Sequence, residues 1–295
     1  MAGYLLHAVA DAPIDPAIAI AIADAVAPVA RIDVRTTAGQ HVTVFTCPRD
    51  GVDRAVDRAG AVALRAAAAA AIGAAPIDLL ARVAPAAPPA LVVMDMDSTI
   101  LSIEVIDELA RMHGVGDAVA AITERAMRGE LAFEASLRER VRQLAGLPVA
   151  ALAALATRLP LSPGAAAMIA ALRARGVVFA IASGGFTFAA DVLVRDHGFA
   201  HAFANTLGVA DGALTGEVVG PVVTAEGKAA VVETLRAQHG LAAGQVIAIG
   251  DGANDRLMLA AAGLGVAFRP KPVLAAVADG VIVHGGLERV LAFVE

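Results

Sequence analysis

Asp95 and Asp97 stand two apart where an apolar run ends, in "ALVVMDMDSTIL" (90–101), with Ser98 and Thr99 directly behind them. On an extended chain such side chains point the same way, roughly 6 to 7 Å apart at about 3.3 Å of rise per residue, so two carboxylates look into one space. A second acidic pair, Asp251 and Asp255, lies in "AIGDGAND" (248–255), where Gly250 and Gly252 permit close backbone approach. Together these groups supply the hard oxygen ligands that Mg2+ favours, with waters and a substrate phosphate completing its shell. An EF-hand beginning at Asp95 would need Gly at 100 and Glu at 106, where Ile100 and Ile106 stand, so calcium is disfavoured. "SGG" at 183–185 offers a hydroxyl and exposed N–H groups ahead of a helix, a geometry suited to phosphate oxygens. Lys228 is one of only two lysines, with Lys271, among 23 basic residues. In a chain that otherwise uses Arg, it marks a place that wants a compact point charge.

These residues need strands to carry them. "LVVMD" (91–95), "VVFAIAS" (177–183), "VIAIGDG" (246–252), "GLGVAF" (263–268) and "GVIV" (280–283) recur between helical patterns, which argues for a mostly parallel sheet wrapped by helices. Ligands of such a sheet bind beyond the carboxyl ends of the strands, where all three polar clusters fall. About 75 residues separate the first two strands, and roughly the first 55 of them, Glu104 to Arg158, are helical by pattern, too many for one crossover helix. They predict a small helical cap over the strand ends, inserted at about 104–160. A hairpin is expected over 203–220, turning at Asp211-Gly212. Before the Pro-rich stretch "APAAPPA" (84–90), strand-like pieces ("YLLHAVA", "ARIDVRT", "HVTVFTC") alternate with Ala-rich helical ones at 16–27 and 53–73. The expected division is therefore an N-terminal domain, 1–88, and a larger one, 89–295.

The 295 residues, 58% of them hydrophobic, can build a sizeable core, mainly from alanine and aliphatic side chains because aromatics are 3%. A net charge of −6, no Trp and one tyrosine, Tyr4, argue against nucleic acid as a partner. No apolar stretch reaches the about 20 residues of a membrane span, and the N-terminus lacks a secretory signal. With a single cysteine, Cys47, the expectation is a cytoplasmic enzyme that meets no membrane.

"DMDST", "SGG", Lys228 and "GDGAND", in that order, resemble the haloacid dehalogenase (HAD) superfamily of aspartate-nucleophile phosphatases. "DMDSTILSIEVIDELA", "TERAMRGELAFEASLRERV", "IASGGFTF" and "AIGDGANDRLM" are similar to its phosphoserine-hydrolysing branch. The resemblance covers residues 91 to about 285. It implies a HAD-like Rossmannoid α/β sheet with an inserted helical cap of the C1 type, following a small α+β, ACT-like N-terminal domain. It implies that Asp95 is the nucleophile and that Asp97 is a general acid, then a base, in hydrolysing O-phosphoserine to serine and phosphate, the last step of serine biosynthesis. Mg2+ would be held by Asp95, the backbone carbonyl of Asp97, and Asp251. Ser183, Gly184, Lys228 and Asn254 would hold the phosphoryl oxygens, with Asp255 positioning its neighbours. Glu104 would meet the substrate's ammonium group and Arg140 its carboxylate, under a lid lined by Phe133 and Met127.

Each residue also has an ordinary reading. Asp95, Asp97, Asn254 and Asp255 suit turns and helix caps, Ser183 a turn, and Glu104 the first turn of a helix. Arg138, Arg140 and Arg142 suit a solvated helix face, and Phe133 and Met127 a core. The scattered histidines, His197 and His201 included, are assigned to no metal. Arg256 stands where the family commonly has an apolar residue. The sequence admits a homodimer. Competing functions are phosphatase action on another small phosphorylated metabolite and a non-catalytic amino-acid sensor built on the N-terminal region.

Overall fold

The structure, a computed structural model, describes residues 3–48, 58–84 and 87–294. The N-terminal part runs β1 (Gly3–Ala10), α1 (Pro16–Ala25), β2 (Arg31–Thr37), β3 (Gln40–Pro48), α2 (Arg58–Ile72) and β4 (Asp78–Ala84). Its strands lie in the order β2-β3-β1-β4, all antiparallel. Asp15 starts α1 by accepting the Ala17 N–H at 2.7 Å, with Pro16 at the first helical position, where its missing N–H costs nothing. The first residues of the helix expected over 53–73, and two of the Pro-rich stretch, lie outside the described residues.

After the Pro-rich stretch comes β5 (Leu91–Met94), then the cap helices α3 (Val105–His113), α4 (Gly116–Met127), α5 (Phe133–Arg142) and α6 (Val149–Ala156). The chain continues through α7 (Ala165–Arg173), β6 (Val178–Phe186), α8 (Thr187–His197), β7 (His201–Ala210), β8 (Ala213–Val219), α9 (Ala225–Gln238) and β9 (Val246–Gly250). It ends with α10 (Arg256–Ala261), β10 (Leu264–Phe268), α11 (Pro272–Ala275), β11 (Gly280–Ile282) and α12 (Arg289–Val294). Strands β11-β10-β9-β5-β6-β7 pair in parallel, and the wholly buried apolar runs of β5, β9 and β10 suit a sheet that helices cover on both faces. Among the described residues no helix is long and apolar enough to cross a membrane.

The two sheets are one. β4 pairs antiparallel with β11, Leu80 opposite Gly280, giving a continuous sheet of 11 strands. The join is clasped by Asp78, whose buried carboxylate accepts the N–H groups of Val283, His284 and Gly285 at 2.7, 3.0 and 2.9 Å. Fully buried Arg289 meets it at 3.1 Å. The Pro-rich stretch thus marks a change of topology within an unbroken sheet. One face of β1 and β3 packs on α1 and α2 through Leu6, Phe45, Ile22 and Ala68. The other contributes Val9, Val42 and Val44 to the main core with Val290 and Phe293 of α12.

The expected hairpin forms at Asp211 and Gly212, whose φ of 50° and 78° are the left-handed pair that a two-residue turn demands. Its place was not foreseen. β8 and the turn brace the cap: Gly146 donates to Leu214 O at 2.8 Å, Leu214 to Leu147 O at 2.9 Å, and Arg138 to Val218 O at 3.3 Å. Gly216, with φ of 80°, lets the strand approach so closely that a Cβ there would lie 2.9 Å from that of Ala145.

Candidate active site

Three loops meet at the carboxyl edge of the sheet because β5, β6 and β9 are in step, with Met94 level with Ile181 and Ile249. Asp95 follows β5 directly and donates its N–H to Ile249 O at 2.9 Å. The chain then makes one wide turn, closed by Leu101 N–H on Met96 O at 2.9 Å, with Ser98 in the left-handed region at φ 54°. That turn sets Asp97 beside the second loop: a Cβ on Gly185 would lie 2.3 Å from an Asp97 carboxylate oxygen.

Lys228, on α9 and only 1% exposed, joins the first and third loops, its ammonium 2.7 Å from both Asp95 and Asp255. Burial opposes its charge, but the two carboxylates outweigh that and hold its pKa above the ordinary lysine value. Asp255, fully buried, also accepts the N–H groups of Asp251 and Gly252 at 3.0 Å each. Gly250 makes room for it, since a Cβ there would lie 2.4 Å from the Asp255 carboxyl. Asp95 accepts the Met96 N–H at 2.7 Å, and Thr99 donates to Asp251 at 3.2 Å.

Carboxylate oxygens of Asp95, Asp251 and Asp255 lie within 4.8 Å of one another, a set that could hold a metal ion. Crowding shows in their protonation. Burial first, then Asp95, pushes Asp251 up to about 7 and Asp255 to about 6. Burial and then Glu104 raise Asp97 well above the usual carboxylate range. A divalent cation would relieve this repulsion, and an all-oxygen donor set suits a hard one. Lys228 and two N–H groups occupy the Asp255 oxygens, Lys228 and the Met96 N–H those of Asp95, while Asp251 accepts only from Thr99. The Asp97 carboxylate is not in the cluster; it accepts the Val105 N–H at 3.0 Å.

The second loop faces the same space. Buried Ser183 accepts the Gly185 N–H at 3.0 Å, and the Phe133 ring of the cap lies over Gly184, where a Cβ would sit 2.7 Å from it. Asn205, on β7, holds this loop by donating to Gly184 O at 2.7 Å and accepting the Val223 N–H at 2.8 Å. Asn254 packs against Gly252 in the third loop. Glu104 accepts from Ser98 Oγ at 2.7 Å. Arg140 is charge-coupled to Asp107, Glu104 and Asp97, so it faces the acids, with burial lowering its pKa and those carboxylates raising it. Arg138 instead pairs with Glu134 at 2.8 Å, and Arg142 and Arg256 are exposed. Of the two expected lid residues Phe133 reaches the loop, while Met127 is 73% exposed.

Sequence reasoning did not single out Asn205 or Asp107. The only signals were a polar residue in a mostly apolar strand that also holds His201 and Thr206, and an acid three positions after Glu104. Nor did it single out the wall of a cavity of about 300 Å³ beside Asp251, formed by Ser98, Ser102, Ser162 and the loop Phe268 to Lys271.

Residues 89–263 match the family model of haloacid dehalogenase-like hydrolases. A phosphoserine phosphatase of Archaeoglobus fulgidus is 48% identical over 192 residues, 65% of this chain, and the match spans 56% of that relative's length. The crystal structure of a probable phosphoserine phosphatase from Vibrio cholerae, in its unliganded form, is similar with a TM-score of 0.78 and 36% identity, covering 98% of this chain and 86% of that one. A HAD family hydrolase from Salmonella enterica serovar Typhi gives a TM-score of 0.85 at 30% identity, covering 99% of this chain and 98% of its own. With the three strand-end loops assembled and more than half of its length matched by the family model, the chain belongs to the haloacid dehalogenase-like hydrolases.

Proposed function

We propose that the protein is a Mg2+-dependent phosphatase that hydrolyses O-phospho-L-serine to L-serine and phosphate. The observation that carries this reading is the buried ammonium of Lys228, 2.7 Å from Asp95 and from Asp255, beside the Ser183 loop. It puts a nucleophile candidate and a fixed positive charge in one small space. Relatives named phosphoserine phosphatase support the substrate assignment.

In this reading a carboxylate oxygen of Asp95 attacks phosphorus, and the bond from phosphorus to the serine oxygen breaks. Asp97 delivers a proton to that leaving oxygen, a role supported by its raised pKa, and an aspartyl-phosphate remains. Water then attacks the phosphorus while Asp97 takes its proton, and Asp95 is released. Ser183, the Gly184 N–H, Lys228 and Asn254 hold phosphoryl oxygens, and Asp255 keeps Lys228 and the third loop in place. Asp95, the Asp97 carbonyl and Asp251 would hold the ion, which would supply positive charge against the developing phosphoryl anion.

Glu104 and Arg140 give the selectivity. They are oppositely charged and coupled to each other, which suits the ammonium and carboxylate of an amino acid. A substrate without that head would forgo both interactions. We read residues 1–88 as an ACT-like unit, on its four antiparallel strands and two helices, and 89–295 as the phosphatase body with its cap at about 104–160. Buried, unpaired Cys47 suits the cytoplasm.

Phosphate release from phosphoserine, phosphothreonine and phosphoglycolate tests the assignment. We expect phosphoserine to be preferred, EDTA to abolish turnover with Mg2+ restoring it, and Asp95→Asn to lower kcat by at least about 10³-fold. A preference for phosphoglycolate would replace the substrate assignment. Undiminished turnover by Asp95→Asn would reject the mechanism.

A further inference from the structure

Lys271 takes no part in the reaction proposed above, yet it lies beside Asp251 at the edge of the site. It lines the cavity of about 300 Å³ that opens on Asp251 and Ser98. Its backbone N–H donates to Asp251 O at 3.0 Å, which ties the loop after β10 to the third polar loop. Its side chain is exposed, and its ammonium has no ion pair among the described residues. It nonetheless acts on the charges of Asp251 and Glu104.

The electrostatic setting gives this lysine a task. Asp95, Asp97, Asp251, Asp255 and Glu104 crowd one space, and the buried cation Lys228 is already committed to Asp95 and Asp255. Even with an ion on Asp95 and Asp251, the Glu104 carboxylate opposes the approach of a phosphate monoester, which carries up to about two negative charges, and positive charge at the rim favours its capture. Two cations line the cavity, Arg269 and Lys271. Arg269 lies over the Phe268 ring at 5.2 Å, where the aromatic face engages its charge. Its φ of 42°, in the left-handed region, turns the chain so that Lys271 follows beside Asp251. Lys271 is left as the uncommitted charge.

We propose that Lys271 is a positioning residue for anionic substrate: its ammonium offsets the acidic rim and captures the phosphate ester at the cavity mouth, ahead of transfer to the Ser183 and Lys228 site. This rests on the phosphatase reading and adds a residue to it.

The test compares wild type, Lys271→Met and Lys271→Arg in steady-state kinetics on phosphoserine at low and at raised NaCl. The backbone N–H that holds Asp251 is retained in all three. At low salt we expect Lys271→Met to raise KM about 5- to 10-fold with kcat within about twofold, Lys271→Arg to recover most of the loss, and salt to close the gap. Equal kcat/KM for wild type and Lys271→Met at every salt concentration would overturn the proposal. So would equal losses in both variants with an unchanged salt dependence. Calorimetric titration of the Mg2+-loaded proteins with inorganic phosphate repeats the comparison without turnover, with weaker binding expected in Lys271→Met alone. A wild type inert toward phosphoserine would then sink the reaction proposed above, while the phosphate titration would still decide the role of Lys271.

Discussion

Lys228 shows how one side chain can set the electrostatics of a whole site. Without its ammonium, Asp95 and fully buried Asp255 would face each other with no compensating charge. Lys228→Met should therefore cost about 3 to 5 kcal/mol in urea unfolding of the metal-free protein, because breaking a buried pair strands its partner. A loss below about 1 kcal/mol would mean that the carboxylates relax or protonate at little cost. The residues singled out from sequence that the structure gathers at the strand ends, Asp95, Asp97, Ser183, Lys228, Asp251 and Asp255, share a property. Each sits at or just beyond the end of an apolar run, or stands out by rarity, so its polarity had no structural excuse nearby. Asn205 gave no such signal, since what makes it matter is its bond to Gly184 on another strand, and Lys271, though as rare as Lys228, lies next to no polar cluster in the sequence and meets Asp251 only through the fold.

At the level of elements, the cap and the β7-β8 hairpin belong together although α7, β6 and α8 separate them in sequence. The hairpin itself was legible, because Asp211-Gly212 between alternating residues is a local signal. Its docking on α5 and the following turn was not, because it depends on Gly216 coming close to Ala145 and Arg142. Gly216→Ala combines a left-handed φ of 80° with a Cβ 2.9 Å from that of Ala145. We expect it to lower stability by about 1 to 3 kcal/mol and to raise KM for phosphoserine more than it lowers kcat, since Arg140 rides on the same helix. Chemical denaturation and kinetics on one preparation check both, and an unchanged KM would uncouple hairpin from cap. β4 also escaped notice, and for a related reason. Its Asp78 finds its partners only across the join, where it clasps the turn after β11.

The whole molecule is organised around the join between its two sheets, and His7 lies against it. This buried ring bonds through Nδ1 to Ala292 O at 3.1 Å, and burial first, then Arg82 and Arg35, drive its pKa down from 6.5 to about 3. The unfolded chain takes up this proton first. The contribution is thus complete above pH 6.5 and is lost as pH falls, by up to about 1.4 kcal/mol per unit until pH reaches the folded value near 3. His7→Gln should flatten stability between pH 7 and pH 5 relative to wild type, and identical slopes would place the acid sensitivity elsewhere. The join has a kinetic consequence as well. Arg289 reaches back to Asp11 at 2.7 Å, which ties the last helix to the residue that follows β1. Contacts that span nearly the full chain slow folding and should couple the two halves, so urea unfolding followed by circular dichroism is expected to give one transition, and two separate transitions would show the halves to be independent.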